Sequence, residues 1–175
     1  MKIVAYKAGG EYSCRPDTTL NHNNSDYWCP EGVSALKAVP CIYTHIDKAG
    51  KCVAERFARR YFKTVAFGCL LTDAAGDVSP AVASSMDFTS IMNMGWMEAP
   101  AQTALKFDVN GSGIFAAAGK DYSEDFVRAI VDITRRSTLR IGDIIAIELG
   151  EGCTVKPGDT ITMSTGEKSV PIKIY

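Results

Sequence analysis

The chain has 175 residues, 46% of them hydrophobic and 22% charged, the proportions of one ordinary globular domain. Its 19 Lys and Arg stand against 20 Asp and Glu, a formal net charge of -1. That balance, without a run of five like charges, gives no field to recruit nucleic acid or an anionic membrane, and no stretch of about 18 apolar residues is present to span one.

Met1 to Lys7 reads as a first strand; it lacks the apolar core of a signal peptide, so the expected location is cytoplasmic. Residues 1–60 are dense in turn formers and read as an irregular N-terminal region of a single domain spanning 1–175, with Thr18 to Asp26 as an exposed loop. Ala38 to Tyr43 predicts a short strand that Pro40 pushes to an edge or a bulge. Residues 62–72, FKTVAFGCLLT, predict a stronger strand, closed by a turn from Thr72 to Asp77.

The clearest helix covers about 123–136. Ser123 is its expected N-cap. Glu124 and Asp125 complement the positive end of the dipole, and Arg135 and Arg136 the negative end. Phe126, Ala129, Ile130 and Ile133 recur at three- and four-residue steps and form one apolar face. Thr138 to Asp143 then reads as a turn and Ile144 to Leu149 as a strand. Lys156-Pro157-Gly158-Asp159 has Pro and Gly where a type II turn favours them. Thr160 to Met163 and Val170 to Tyr175 alternate as two last strands. The class is α+β, mostly β.

Few chemical constellations emerge from the residues alone. None of the six cysteines forms a C-x-x-C pair, and Cys69 lies in an apolar run as a core residue. The two histidines, His22 and His45, read as surface or satisfied side chains. Asn110-Gly111 predicts a hairpin turn rather than part of a phosphate loop. Met86, Met92, Met94, Trp96 and Met97 read as irregular core or subunit interface, with an adaptable binding surface as the alternative.

Residues 138–163 read TLRIGDIIAIELGEGCTVKPGDTITM. The preceding helix, the Gly142-Asp143 turn, the strand and the Lys156-Pro157-Gly158-Asp159 turn together resemble the C-terminal signature of the fumarylacetoacetate hydrolase superfamily. The resemblance implies a mixed β-sandwich roll with one main helix, and a homodimer. It also implies Mg²⁺ or Mn²⁺ held by an E-x-E pair on a strand and a later Asp, acting on a small keto acid of acylpyruvate or oxaloacetate type. Hard oxygen donors suit such an ion.

Set against that pattern, Phe62 and Thr64 take the E-x-E positions and Ser85 the Asp position, with Asp87 two residues on. Lys106-Phe107-Asp108 resembles the element carrying a substrate-polarising lysine, which makes Lys106 the candidate catalytic residue. Ile147, Glu148 and Gly150 fall on the loop that meets the substrate. The expectation is a degenerate, metal-free site with a non-catalytic role in binding a small molecule or a protein. The alternative is a hydrolase, decarboxylase or tautomerase whose metal is drawn from Asp87, Asp108 and Glu55, with Glu148 as a further donor.

Overall fold

A computed structural model describes residues 1–21, 25–74, 85–86, 103–166 and 168–175, with Ser85, Met86 and Lys168 described through their backbone alone. The described residues form two sheets and one long helix. The strands are β1 Lys2–Tyr6, β2 Tyr12–Pro16, β3 Leu20–Asn21, β4 Leu36–His45, β5 Ala66–Asp73 and β6 Ser85–Met86. They continue with β7 Leu105–Val109, β8 Ser112–Ala117, β9 Ile144–Glu148, β10 Cys153–Val155, β11 Thr160–Thr165 and β12 Lys168–Lys173. The helices are α1 Glu55–Ala58 and α2 Ser123–Arg136.

The larger sheet runs β2-β1-β9-β4-β5-β6-β3, with β10 also paired to β4; the smaller runs β12-β11-β7-β8. It is a mixed sheet: β1 and β9 are parallel, while β4 is antiparallel to both β5 and β9. Residues 1–60, read from the sequence as irregular, thus contribute β1 to β4, including strands at the centre of the sheet. No helix among the described residues is long and apolar enough to cross a membrane.

The large sheet is curled. Arg15 on β2 donates from Nη1 to the carbonyl of Leu71 on β5 at 2.6 Å. Those strands are four steps apart in the sheet order, about 19 Å if the sheet were flat, which is further than a side chain reaches. Curling therefore brings the two strands together and gives the sheet a concave face.

α2 covers the other face, where the Tyr6 hydroxyl donates to Asp132 at 2.7 Å. Phe126, Ala129, Ile130 and Ile133 are all buried, as their spacing requires. Ser123 is not the cap expected of it. It is already helical and buried, and its amide donates to the Asp121 carboxylate at 2.8 Å. Both faces of β9 are covered, so Ile144 to Ile147 are all buried.

Pro40 sits inside the sheet rather than at an edge or bulge. On one side β4 pairs with β10 through residues 36–38 and with β9 from Cys41 onward. The exchange of neighbours falls at Pro40, so its missing N–H breaks no ladder there, and its carbonyl accepts from Leu149 at 2.9 Å. The turns follow sequence chemistry more closely. Asn110 and Gly111 join β7 to β8 with φ of 52° and 78°, and Gly158 takes φ 100° in its turn.

Candidate functional site

On the concave face, side chains two apart along each strand point the same way. β4 presents Lys37, Val39 and Cys41 there, paired to Thr72, Leu70 and Gly68 of β5. Glu148 at the end of β9 stands opposite Cys41. Arg15 enters from β2. A cavity of about 310 Å³ opens between these strands and the β1–β2 hairpin, lined by Lys7, Glu11, Arg15, Lys37, Val39, Leu70, Thr72 and Glu148 among others.

The charges of this cavity are unequal in exposure. Lys7 and Lys37 are exposed, whereas Arg15 is 3% exposed, and its Nε is buried with no hydrogen-bond partner among the described residues. Burial lowers the Arg15 pKa from its ordinary value, with Cys41 and Glu148 pulling the other way. Burial also raises the Glu148 pKa, and the nearby Lys7, Arg15 and Lys37 do not fully offset it.

A second cavity of about 440 Å³ lies toward α2. Ile147, Glu148 and Gly150 all line it, together with Tyr6, Lys120 and Arg128. The three residues expected on the substrate loop are thus neighbours on one wall, and Glu148 borders both cavities. Tyr6 has its phenol pushed up to about 12, first by burial and then by its hydrogen bond to Asp132.

Among the described residues, the other sequence candidates do not come together. Lys106 is exposed on β7, on the opposite face from the buried Leu105 and Phe107. Asp108 lies further along the same strand. Glu55 is exposed on α1 and borders a shallow depression against α2 with Glu124 and Arg128. Asp87, Met92, Met94, Trp96 and Met97 lie outside the described residues, as does the side chain of Ser85. Among the described residues, no group of three or more His, Cys, Asp or Glu is placed to hold a metal ion.

Phe62 and Thr64 require a correction. They precede β5 and do not lie on a strand. Phe62 is 1% exposed and packs on Phe126 of α2, ring centroids 5.4 Å apart. It is a core residue, not a vacated ligand position. β4 does what the spacing argument needed, turning residues two apart toward a cavity. Those residues are Lys37 and Val39, with Leu70 and Thr72 beside them.

No family model matches the sequence, and neither does any curated protein. Solved structures do match. A protein from Yersinia pestis CO92 assigned to the fumarylacetoacetate hydrolase family superposes with TM-score 0.75 at 17% identity, covering 99% of this chain and 92% of that one. The chain has the fold of the fumarylacetoacetate hydrolase family. Fumarylpyruvate hydrolase from Pseudomonas aeruginosa, solved with Mn²⁺ and pyruvate, matches with TM-score 0.75 at 11% identity, covering 99% of this chain and 89% of that one. Maleylpyruvate hydrolase from Sphingobium sp. SYK-6 matches with TM-score 0.75 at 19% identity, covering 99% and 69%.

The described residues do not fit the divalent ion implied by the fumarylacetoacetate hydrolase fold. β4 and β5 offer the cavity an ammonium, aliphatic side chains and a hydroxyl. The two carboxylates that line it, Glu11 and Glu148, share it with three cations. Hard dications need several anionic oxygens to replace their water shell, and neighbouring ammonium groups oppose their approach.

The sequence reading missed Lys7, Arg15 and Lys37. One signal was available: Lys37 is a lone charge in the otherwise apolar run from Leu36 to Tyr43. Nothing local marks Arg15, because its burial depends on the curl of the sheet.

Proposed function

We propose that this chain is a metal-free, non-catalytic relative on the fumarylacetoacetate hydrolase fold that holds a small molecule in its concave cavity. The observation that carries this reading is the character of the β4–β5 wall, where Lys37, Val39, Leu70 and Thr72 face the cavity. A cavity of about 310 Å³ lies at the small end of the range for small-molecule sites. Resemblance further supports a homodimer, which sedimentation at two concentrations tests.

The test of the metal-free reading is thermal unfolding with and without millimolar Mg²⁺ or Mn²⁺. An ion bound by the native state alone raises the melting temperature. No shift, together with no turnover of oxaloacetate or an acylpyruvate, is the expected outcome. An upward shift abolished by Asp87→Ala or Glu148→Gln would overturn it.

The second reading is a divalent-metal-dependent hydrolase, decarboxylase or tautomerase acting on a small keto acid. Its support is the neighbour solved with Mn²⁺ and pyruvate, together with Glu11 and Glu148 on one cavity. Turnover that requires Mn²⁺ is the result that would favour it.

A further inference from the structure

We propose that the surface formed by residues 48–63 and 135–141 is a docking face for an anionic lipid bilayer, which the chain touches from outside without spanning it. Neither the cavities nor a metal takes part.

The net charge of -1 conceals an uneven distribution. Residues 48–63 hold Lys48, Lys51, Arg56, Arg59, Arg60 and Lys63 against one acid, Glu55. Residues 135–141 add Arg135, Arg136 and Arg140 and no acid. Tertiary contacts join the two segments. The Cys52 amide donates to the Thr134 carbonyl at 2.8 Å, and the Val53 amide to the Thr134 hydroxyl at 3.0 Å. Gly50 and Leu139 exchange backbone hydrogen bonds in both directions. The Gly142 amide donates to the Ile46 carbonyl at 2.8 Å, which sets the turn after Arg140 beside the start of the first segment. Nine of the chain's 19 Lys and Arg thus share one region with one of its 20 acids. All of them except Arg59 are exposed. Of those eight, only Arg135 is in a salt bridge among the described residues, with Asp132 at 3.6 Å. Asp47 precedes the first segment, and Glu55 and Glu124 border the depression between α1 and α2. The cations remain in large excess.

Two large apolar side chains stand exposed in the same region, Phe57 at 39% and Ile141 at 71%. Arg56 and Arg60 hold their guanidinium groups 4.7 and 5.3 Å from the centre of the Phe57 ring. Exposed apolar residues flanked by cations suit the boundary between headgroups and acyl chains, where the first sink in and the second meet phosphate and carboxylate. A nucleic acid fits less well. Its bases stack on free aromatic faces, but two guanidinium groups already engage Phe57, and Ile141 has no counterpart on a sugar-phosphate backbone. A second copy of the chain is disfavoured because a two-fold contact sets the same cations against each other.

The experiment is flotation of the full chain with vesicles of phosphatidylcholine alone, and of phosphatidylcholine with about one-third phosphatidylserine, at low salt and without divalent ions. Binding to the anionic vesicles alone is expected, with release at about 0.5 M salt, where screening is short-ranged. Lys51→Glu with Arg60→Glu should weaken binding tenfold or more. Ile141→Ser should weaken it severalfold at unchanged charge. These side chains are exposed, so unchanged melting temperatures report intact folding; if the double variant melts lower, Lys48→Glu with Lys63→Glu replaces it. Lys106→Glu with Lys156→Glu makes the same change of charge at the smaller sheet and should leave binding within twofold. No flotation with anionic vesicles would overturn the docking face. So would equal losses in the two double variants, or binding indifferent to salt or to Ile141→Ser. Capture of a labelled single-stranded RNA without vesicle binding would overturn the lipid assignment and give the face to a nucleic acid.

Discussion

The ammonium of Lys2 and the carboxylate of Asp143 are joined by a salt bridge across 141 residues of sequence. The same carboxylate accepts the Lys2 amide at 2.9 Å and the Arg140 amide at 2.8 Å. Asp143 closes the turn that leads into β9, so this cluster locks the start of β1 beside the start of its parallel neighbour.

Asp143→Asn should destabilise the protein by about 1.5–3 kcal/mol, since charge-assisted bonds to a buried acceptor are lost or weakened. Burial pulls the Asp143 carboxyl upward, but the bonds from Lys2 and the Arg140 amide outweigh it and hold it below its ordinary value. A group so depressed contributes stability that is present above the unfolded value of about 3.9 and is lost as pH falls through the folded one. Urea unfolding midpoints from pH 7 down to pH 3 should therefore converge for wild type and Asp143→Asn toward the acid end.

Glu148 shows the opposite sign. Its carboxyl is raised, chiefly by burial. Its contribution is full below the unfolded value of about 4.3 and is lost as pH rises through the folded value. Glu148→Gln should be more stable than wild type at pH 7, with the advantage shrinking toward pH 4.

Phe62→Ala should cost about 3–5 kcal/mol, the loss expected for a fully buried ring. Phe62→Glu with Thr64→Glu restores an E-x-E spacing in the sequence, yet should gain no melting-temperature shift with Mn²⁺. A Mn²⁺-dependent rise in that double variant would show that Phe62 faces a metal position after all.

Gly152 has φ of 73°, and a Cβ there would lie 2.2 Å from the carbonyl oxygen of Ala38 on β4. Gly152→Ala should cost at least about 2 kcal/mol, combining backbone strain with displacement of β10 from β4. Gly158 also has positive φ, at 100°, but open space around it. Gly158→Ala should cost less, about 1 kcal/mol from strain alone. Chemical denaturation of the two variants measures the difference.

The readings that succeeded depend on neighbours in sequence. α2 was marked by helical spacing from Phe126 to Ile133 and by charges suited to each end of its dipole. Asn110-Gly111 and Pro157-Gly158 marked turns because few residues accept the positive φ those turns require. Readings that failed depend on what lies across space. Phe62 stood two residues before Thr64 in what read as a strand, but packing on Phe126 turned it into the core. Pro40 signalled an edge, yet an exchange of neighbours along β4 made it acceptable in the sheet. Ser123 had cap chemistry, but it already lies inside the helix, and its own amide donates to Asp121 outside it.

The amino-acid order by itself determined the α+β class, the long helix, the hairpin and tight turns, and the C-terminal pattern that resembles the fumarylacetoacetate hydrolase superfamily. These follow from backbone preferences and from periodic burial, both of which act within a few residues. Only the tertiary structure decided which side chains face the cavity. Curling of the large sheet carries Arg15 from β2 to β5 and sets Lys37, Leu70 and Glu148 around one space. A strand's period of two says that alternate residues share a face, but which face becomes concave is fixed by strands far away in the chain.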